Sequence, residues 1–112
     1  MSIFLIILAA GEGKRLKTRI PKPFFLINQK TLLEHTIESF KNFTEIKKTI
    51  IVYNKKHKNY LNKMSLNHTF KIIGGKTRQE STYLALKKLK RMGCSKVIIH
   101  DAARPNPSNK II

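Results

Sequence analysis

Acidic residues are scarce in this chain: six Asp and Glu stand against 23 Lys and Arg, leaving a formal net charge of +17 over 112 residues. Asp101 is the sole aspartate. Cysteine is scarcer still. Cys94 alone cannot build an internal disulfide framework, and no Cys/His spacing matches a zinc site. Cys94 follows Gly93 at an expected helix end, where a small, semi-buried side chain accounts for it. No apolar stretch approaches membrane-spanning length. The hydrophobic start is short, lacks a basic leader and runs straight into a glycine loop, which is not the pattern of a signal peptide. A cytoplasmic location is the expectation. Tryptophan is absent, and the aromatics do not interleave with the basic residues as a base-stacking platform requires.

Two accounts of the excess charge compete. One is a polyanionic partner: nucleic acid, an anionic membrane surface or phosphorylated small molecules. The other is coding bias, since Lys, Asn and Ile are abundant throughout, as in AT-rich genomes. The second is favoured, because the lysines are spread over nearly every segment instead of gathering on one face or tail. A nucleic-acid-binding module would rest on net charge alone. It would leave the loops described next without a role.

Apolar residues make up 41% of the chain, enough for one small domain spanning residues 1–112. Apolar runs alternate with helical patterns, the mark of an α/β fold with a mainly parallel sheet. Ile3–Leu8 reads as a central strand buried on both faces. Thr31-Leu-Leu-Glu34 reads as a capping box opening a helix whose stripe is Leu33, Ile37 and Phe40. A second strand is expected at Thr49–Tyr53 and a basic helix over Lys56–Lys63. A third strand, Phe70–Ile73, ends at Gly74-Gly75. Thr77-Arg-Gln-Glu80 reads as a second capping box, with Ala85, Leu89 and Met92 as the buried stripe behind it. Gly93 suits the residue after that helix. Lys96–His100 is the fourth strand, with His100 packed and not catalytic.

In an open α/β sheet, ligands bind outside the carboxyl ends of the strands. Three informative segments fall there: Gly11–Lys22, Gly74–Ser81 and Asp101–Arg104. The first, Ala9-Ala10-Gly11-Glu12-Gly13-Lys14-Arg15 with Pro21-Lys22 behind it, places two glycines among cations. Glycines let backbone N–H groups close around an anion, and a polyphosphate is the natural occupant. The spacing is neither that of a P-loop nor that of a dinucleotide fingerprint, whose third glycine is replaced here by Leu16. In the second segment, free N–H groups at a helix start and the Ser81 hydroxyl suit a polar base edge or a ribose, or form an ordinary strand-to-helix turn. In the third, Asp101 is a candidate Mg²⁺ ligand facing the polyphosphate. Pairing with Arg104, or capping the next turn, is its alternative role.

Taken together, Ala9–Arg15, Pro21-Lys22, Gly74-Gly75 with Arg78-Gln79-Glu80-Ser81, and His100-Asp101-Ala102-Ala103-Arg104-Pro105 resemble the 2-C-methyl-D-erythritol 4-phosphate cytidylyltransferase family of non-mevalonate isoprenoid biosynthesis. The resemblance runs collinearly over essentially the whole chain. It implies a Rossmann-like nucleotidyltransferase fold in which methylerythritol phosphate attacks the α-phosphorus of CTP and expels pyrophosphate. On that pattern Arg15 and Lys22 stabilise the transition state. Ala9, Ala10, Gly11, Gly13 and Lys14 belong to the nucleotide cleft, Gly75 and Lys76 read cytosine through main-chain atoms, and Ser81 adds its hydroxyl. Asp101 falls near Mg²⁺ and the triphosphate. Pro23, Thr82 and Ala85 stand where the family usually has Gln, Val and Gly, and none of these changes removes a charged group. Members of the family continue past the last motif with a dimer-forming arm and acceptor-binding residues, so the expectation is a nucleotide-binding half without its acceptor half. Ribitol-5-phosphate cytidylyltransferases share the CTP loops and are the nearest alternative within the fold. An inactive fragment is the alternative outside it.

Overall fold

The computed structural model describes residues 3–10, 20–64, 69–93 and 96–102. The chain runs β1 (Ile3–Ala9), a 3-10 turn (Lys22–Phe24), β2 (Leu26–Ile27), β3 (Lys30–Thr31) and α1 (Leu32–Ser39). It continues through β4 (Ile46–Tyr53), a second 3-10 turn (Lys55–His57), α2 (Lys58–Asn62), β5 (Thr69–Ile73), α3 (Arg78–Arg91) and β6 (Lys96–Asp101). Strands β5, β4, β1 and β6 lie in that order in one sheet, and every pairing in it is parallel. The apolar run of β1 is explained by its place. It has a strand on each side and helices on both faces, so each of Phe4–Ala9 is buried.

Side chains alternate across β1. Leu5, Ile7 and Ala9 enter one apolar layer with Leu33 of α1, Phe40 just beyond its end, Leu61 of α2 and Phe24. Phe4, Ile6 and Leu8 enter the other with Ala85 and Leu89 of α3. The two stripes expected of the helices are thus the ones buried, although Ile37 and Met92 are only partly covered.

The capping box at α1 is complete. The Glu34 amide donates to Thr31 Oγ1 at 3.1 Å, and the Glu34 carboxylate accepts from the Thr31 amide at 2.9 Å. Thr31→Ala is expected to cost about 1 kcal/mol, measurable as a lower urea midpoint with an unchanged slope. The expected second box is only half made. Thr77 Oγ1 accepts from the Glu80 amide at 3.0 Å, but the Glu80 carboxylate turns to the Lys76 amide at 3.3 Å instead of the Thr77 amide. Gly93, at φ 77°, closes α3 in the left-handed region.

Three local differences from the sequence reading stand out. β4 begins at Ile46, three residues before Thr49. The basic helix is shorter than Lys56–Lys63: a 3-10 turn is followed by the five residues of α2, and Leu61 is its one buried residue. The hairpin β2–β3 was not anticipated. Its turn residues Asn28 and Gln29 both take positive φ, 52° and 70°, as a two-residue primed turn demands. Lys30 of the hairpin bonds Glu38 of α1, which holds the Lys30 ammonium above its ordinary pKa and the Glu38 carboxylate below its own.

Candidate nucleotide site

Successive strands step outward from β1 to β4 to β5, and the chain then returns to the other side of β1 as β6. The strand order thus reverses at β1, and the carboxyl ends of strands at such a reversal are the usual binding position in these sheets. A cavity of about 260 Å³ lies there. Leu8, Ala9 and Ala10 line it from the β1 exit, and Asp101 and Ala102 from the β6 exit. Lys22 and Pro23 close another side, and Gly75–Arg78 with Ser81 supply the start of α3.

Each wall has a local cause. Past the strand ends the sheet pattern continues for one bond: the Gly74 amide donates to Tyr53 O at 2.8 Å, and the Ala102 amide to Leu8 O at 2.9 Å. Asn54, just beyond β4, donates from Nδ2 to Ala10 O at 3.3 Å and fixes the point where the glycine loop departs. Gly74 has no Cβ because there is no room for one. A methyl group there would come within 2.6 Å of Ser81 Oγ, 2.7 Å of Ala10 Cβ and 2.9 Å of Val52 Cγ1. That close approach brings the β5 exit onto the first turn of α3, where the buried Ser81 hydroxyl accepts from the Gly75 amide at 3.0 Å. Lys22 is exposed, yet its backbone is held. Pro21 precedes it, Lys22 O accepts from the Phe25 amide, and the neighbouring Phe24 is buried and stacked on Tyr60 at 4.9 Å.

Two main-chain donors ahead of α3 are thus already used. The Gly75 amide goes to Ser81 and the Lys76 amide to Glu80. The Ser81 hydroxyl, which accepts from the Gly75 amide, keeps its own proton for donation. Across the cavity, Arg78 Nε donates to Asp101 Oδ1 at 3.4 Å.

A family model described as 2-C-methyl-D-erythritol 4-phosphate cytidylyltransferase matches residues 3–112. The chain belongs to that family. A bifunctional enzyme, IspD/IspF, of Pelagibacter ubique is 47% identical over 112 residues, covering all of this chain and 30% of the relative. The 2-C-methyl-D-erythritol 4-phosphate cytidylyltransferase of Wigglesworthia glossinidia brevipalpis is 41% identical over 117 residues, covering 98% of this chain and 50% of the relative. The crystal structure of 4-diphosphocytidyl-2C-methyl-D-erythritol synthase from Anaerococcus prevotii superimposes with a TM-score of 0.70 at 30% identity. That match covers 92% of this chain and 44% of the other. The chain spans half, or less, of the length of these relatives. The fold is the Rossmann-like one of the cytidylyltransferases, as the motifs implied.

Of the positions that carry the cytidylyltransferase pattern, Ala9, Ala10, Lys22, Gly75, Lys76, Ser81 and Asp101 all border the one cavity. Gly11, Gly13, Lys14 and Arg15 lie outside the described residues, as do Cys94, Arg104 and Pro105. His100 packs edge-on against Phe40 at 5.1 Å, in keeping with its reading as a packed residue. Arg78 is the side chain that sequence reasoning quoted but left without a role. Its meeting with Asp101 joins the ends of two elements 23 residues apart, and nothing local in the sequence signals it.

Proposed function

We propose that this chain forms the CTP-binding half of a cytidylyltransferase that transfers CMP to 2-C-methyl-D-erythritol 4-phosphate and releases pyrophosphate. The observation that carries this reading is the convergence of seven motif residues from four separate segments on one cavity at the sheet's switch point. The domain assignment, 1–112 as a partial nucleotidyltransferase domain, belongs to the same proposal. An oxygen of the acceptor phosphate forms a bond to the α-phosphorus of CTP, and the bond from that phosphorus to the bridging oxygen breaks. The electron pair leaves with pyrophosphate. Such a transfer needs positioning and charge neutralisation more than a covalent nucleophile.

Lys22, with Arg15, neutralises charge that grows on the α-phosphoryl oxygens in the transition state. The backbone at Ala9, Ala10, Gly11 and Gly13, with Lys14 beside them, holds the nucleotide. Gly75 and Lys76 read cytosine through main-chain atoms. The Ser81 hydroxyl, oriented by the Gly75 amide it already accepts from, donates to an acceptor on the ring.

Among the described residues, Asp101 is the single carboxylate bordering the cavity. Among the described residues no group of three metal-ligating side chains exists. That donor set fits Mg²⁺, which characteristically takes one or two carboxylates and completes its shell with water and substrate phosphates. Asp101 would hold the Mg²⁺, which would supply further charge neutralisation for the transfer when bound. CTP, a polyol phosphate and a second copy of the full-length protein are the partners in this reading, with no part for nucleic acid. The setting is cytoplasmic. No helix among the described residues is long and apolar enough to cross a membrane.

Calorimetric titration of the full-length protein with CTP and with ATP, each with Mg²⁺, tests the proposal. CTP is expected to bind at least about tenfold more tightly, equivalent to about 1.4 kcal/mol. Equal, weak and salt-sensitive binding of both would remove the nucleotide-specific reading in favour of non-specific charge attraction. Pyrophosphate release with methylerythritol phosphate, compared against ribitol 5-phosphate, then decides the acceptor.

A further inference from the structure

Thr36 lies in the middle of α1, completely buried, on the helix that sends Leu33 into an apolar layer. A hydroxyl in such a place must find a partner, because burying it without one is costly. Its partner is 66 residues away: Thr36 Oγ1 donates to Ala102 O at 2.6 Å. Ala102 is itself buried, and its amide donates to Leu8 O at 2.9 Å. One residue thus has its amide tied to the central strand and its carbonyl tied to the helix layer beneath.

Asp101 is the residue immediately before. Among the described residues β6 pairs with β1 alone, and that pairing registers the β6 exit from one side. Thr36 registers it from below. A valine fills the same volume, so packing by itself does not call for the oxygen.

We propose that Thr36 is a positioning residue. Through the Ala102 carbonyl it sets where Asp101 presents its carboxylate to the cavity, and so sets the affinity of the site for a divalent cation. This rests on the reading of Asp101 as the metal-binding carboxylate. Arg78 holds the carboxylate from the cavity side, whereas Thr36 holds the backbone that carries it. Partners one step removed from a metal ligand typically change metal affinity by about 10- to 100-fold when lost.

The test is Mn²⁺ binding to the full-length protein with saturating CTP, read from the electron paramagnetic resonance signal of free Mn²⁺. Metal-free CTP-over-ATP discrimination and the thermal midpoint are measured alongside. Thr36→Val is expected to lose about tenfold or more in Mn²⁺ affinity, with base discrimination unchanged. Thr36→Ser, which restores the oxygen, is expected to bind as wild type does. Thr36→Ala adds no bulk and is read in place of the valine variant should that one fail to fold. Wild-type Mn²⁺ affinity in the Val and Ala variants, with only the thermal midpoint lowered, would overturn the proposal. So would loss of base discrimination together with the metal, or a Ser variant that behaves like Val. Asp101→Asn separates the two levels. If it binds Mn²⁺ normally, the reading of Asp101 fails and the positioning role falls with it. If it loses the metal while Thr36→Val does not, the positioning role alone is wrong.

Discussion

Lys22→Ala in the full-length protein is expected to lower kcat by about 10²- to 10³-fold, the range seen when one preorganised donor to a developing anion is removed. CTP affinity should change little, because a charge that acts mainly on the transition state contributes little to ground-state binding. Stability should also hold, within about 0.5 kcal/mol, since the side chain is exposed. Its backbone is kept in place by the Pro21 and Phe25 contacts and by buried Phe24, none of which the substitution touches. A kinetic split of this kind distinguishes a catalytic cation from one that merely attracts nucleotide. An equal rise in KM with kcat unchanged would assign Lys22 to uniform binding, and wild-type turnover would take it out of the mechanism.

The second large effect is expected at Gly74. An added Cβ meets a side chain from each of three separate segments, all closer than 3.0 Å. Ala10 Cβ cannot yield without moving backbone at the start of the glycine loop. Overpacking of this kind costs about 1–3 kcal/mol or more. It should also push Ser81 off the Gly75 amide, so Gly74→Ala is expected to lower both the denaturation midpoint and CTP affinity. Gly75→Ala is expected to act in the same direction. Its added Cβ would lie within 2.7 Å of Glu80 Cβ, which is fixed to the α3 backbone, and closer still to the outer atoms of that side chain. The first turn of α3 would have to move, and the bond from the Lys76 amide to Glu80 would be disturbed. A Gly74 variant as stable as wild type, with unchanged CTP binding, would falsify this account of the cleft wall.

Much of this architecture was legible because its causes are local. Thr31 and Glu34 are three residues apart, and their reciprocal bonds depend on little else. The rim segments could be placed because the strand pattern fixes which end of each strand they follow. What escaped depends on neighbours far along the chain. The polar Lys47 and Lys48 conceal the start of β4, yet the Lys48 ammonium sits 5.8 Å and 5.2 Å from the Phe4 and Phe70 ring centres, on the strands to either side. The β2–β3 turn was hidden because Gln29 is not a usual residue for positive φ. Glu80 satisfies the spacing of a capping box, but Gly75 leaves it space to reach the Lys76 amide instead. The bonds Arg78–Asp101 and Thr36–Ala102 join residues that only the sheet order brings together.

That sheet order also governs how the molecule comes into being. Every ladder in the main sheet is parallel, so no strand pairs with its sequence neighbour through a tight turn. Ile3 must find Ile46 on one side and Lys96 on the other. Each pairing closes a long loop before any contact offsets the lost chain entropy, which makes for high contact order and slow folding. The crevice between the β1 and β6 exits has no existence until the most distant of these pairings is made. Nucleotide affinity should therefore appear only with the last phase of refolding, after helix signal has largely returned.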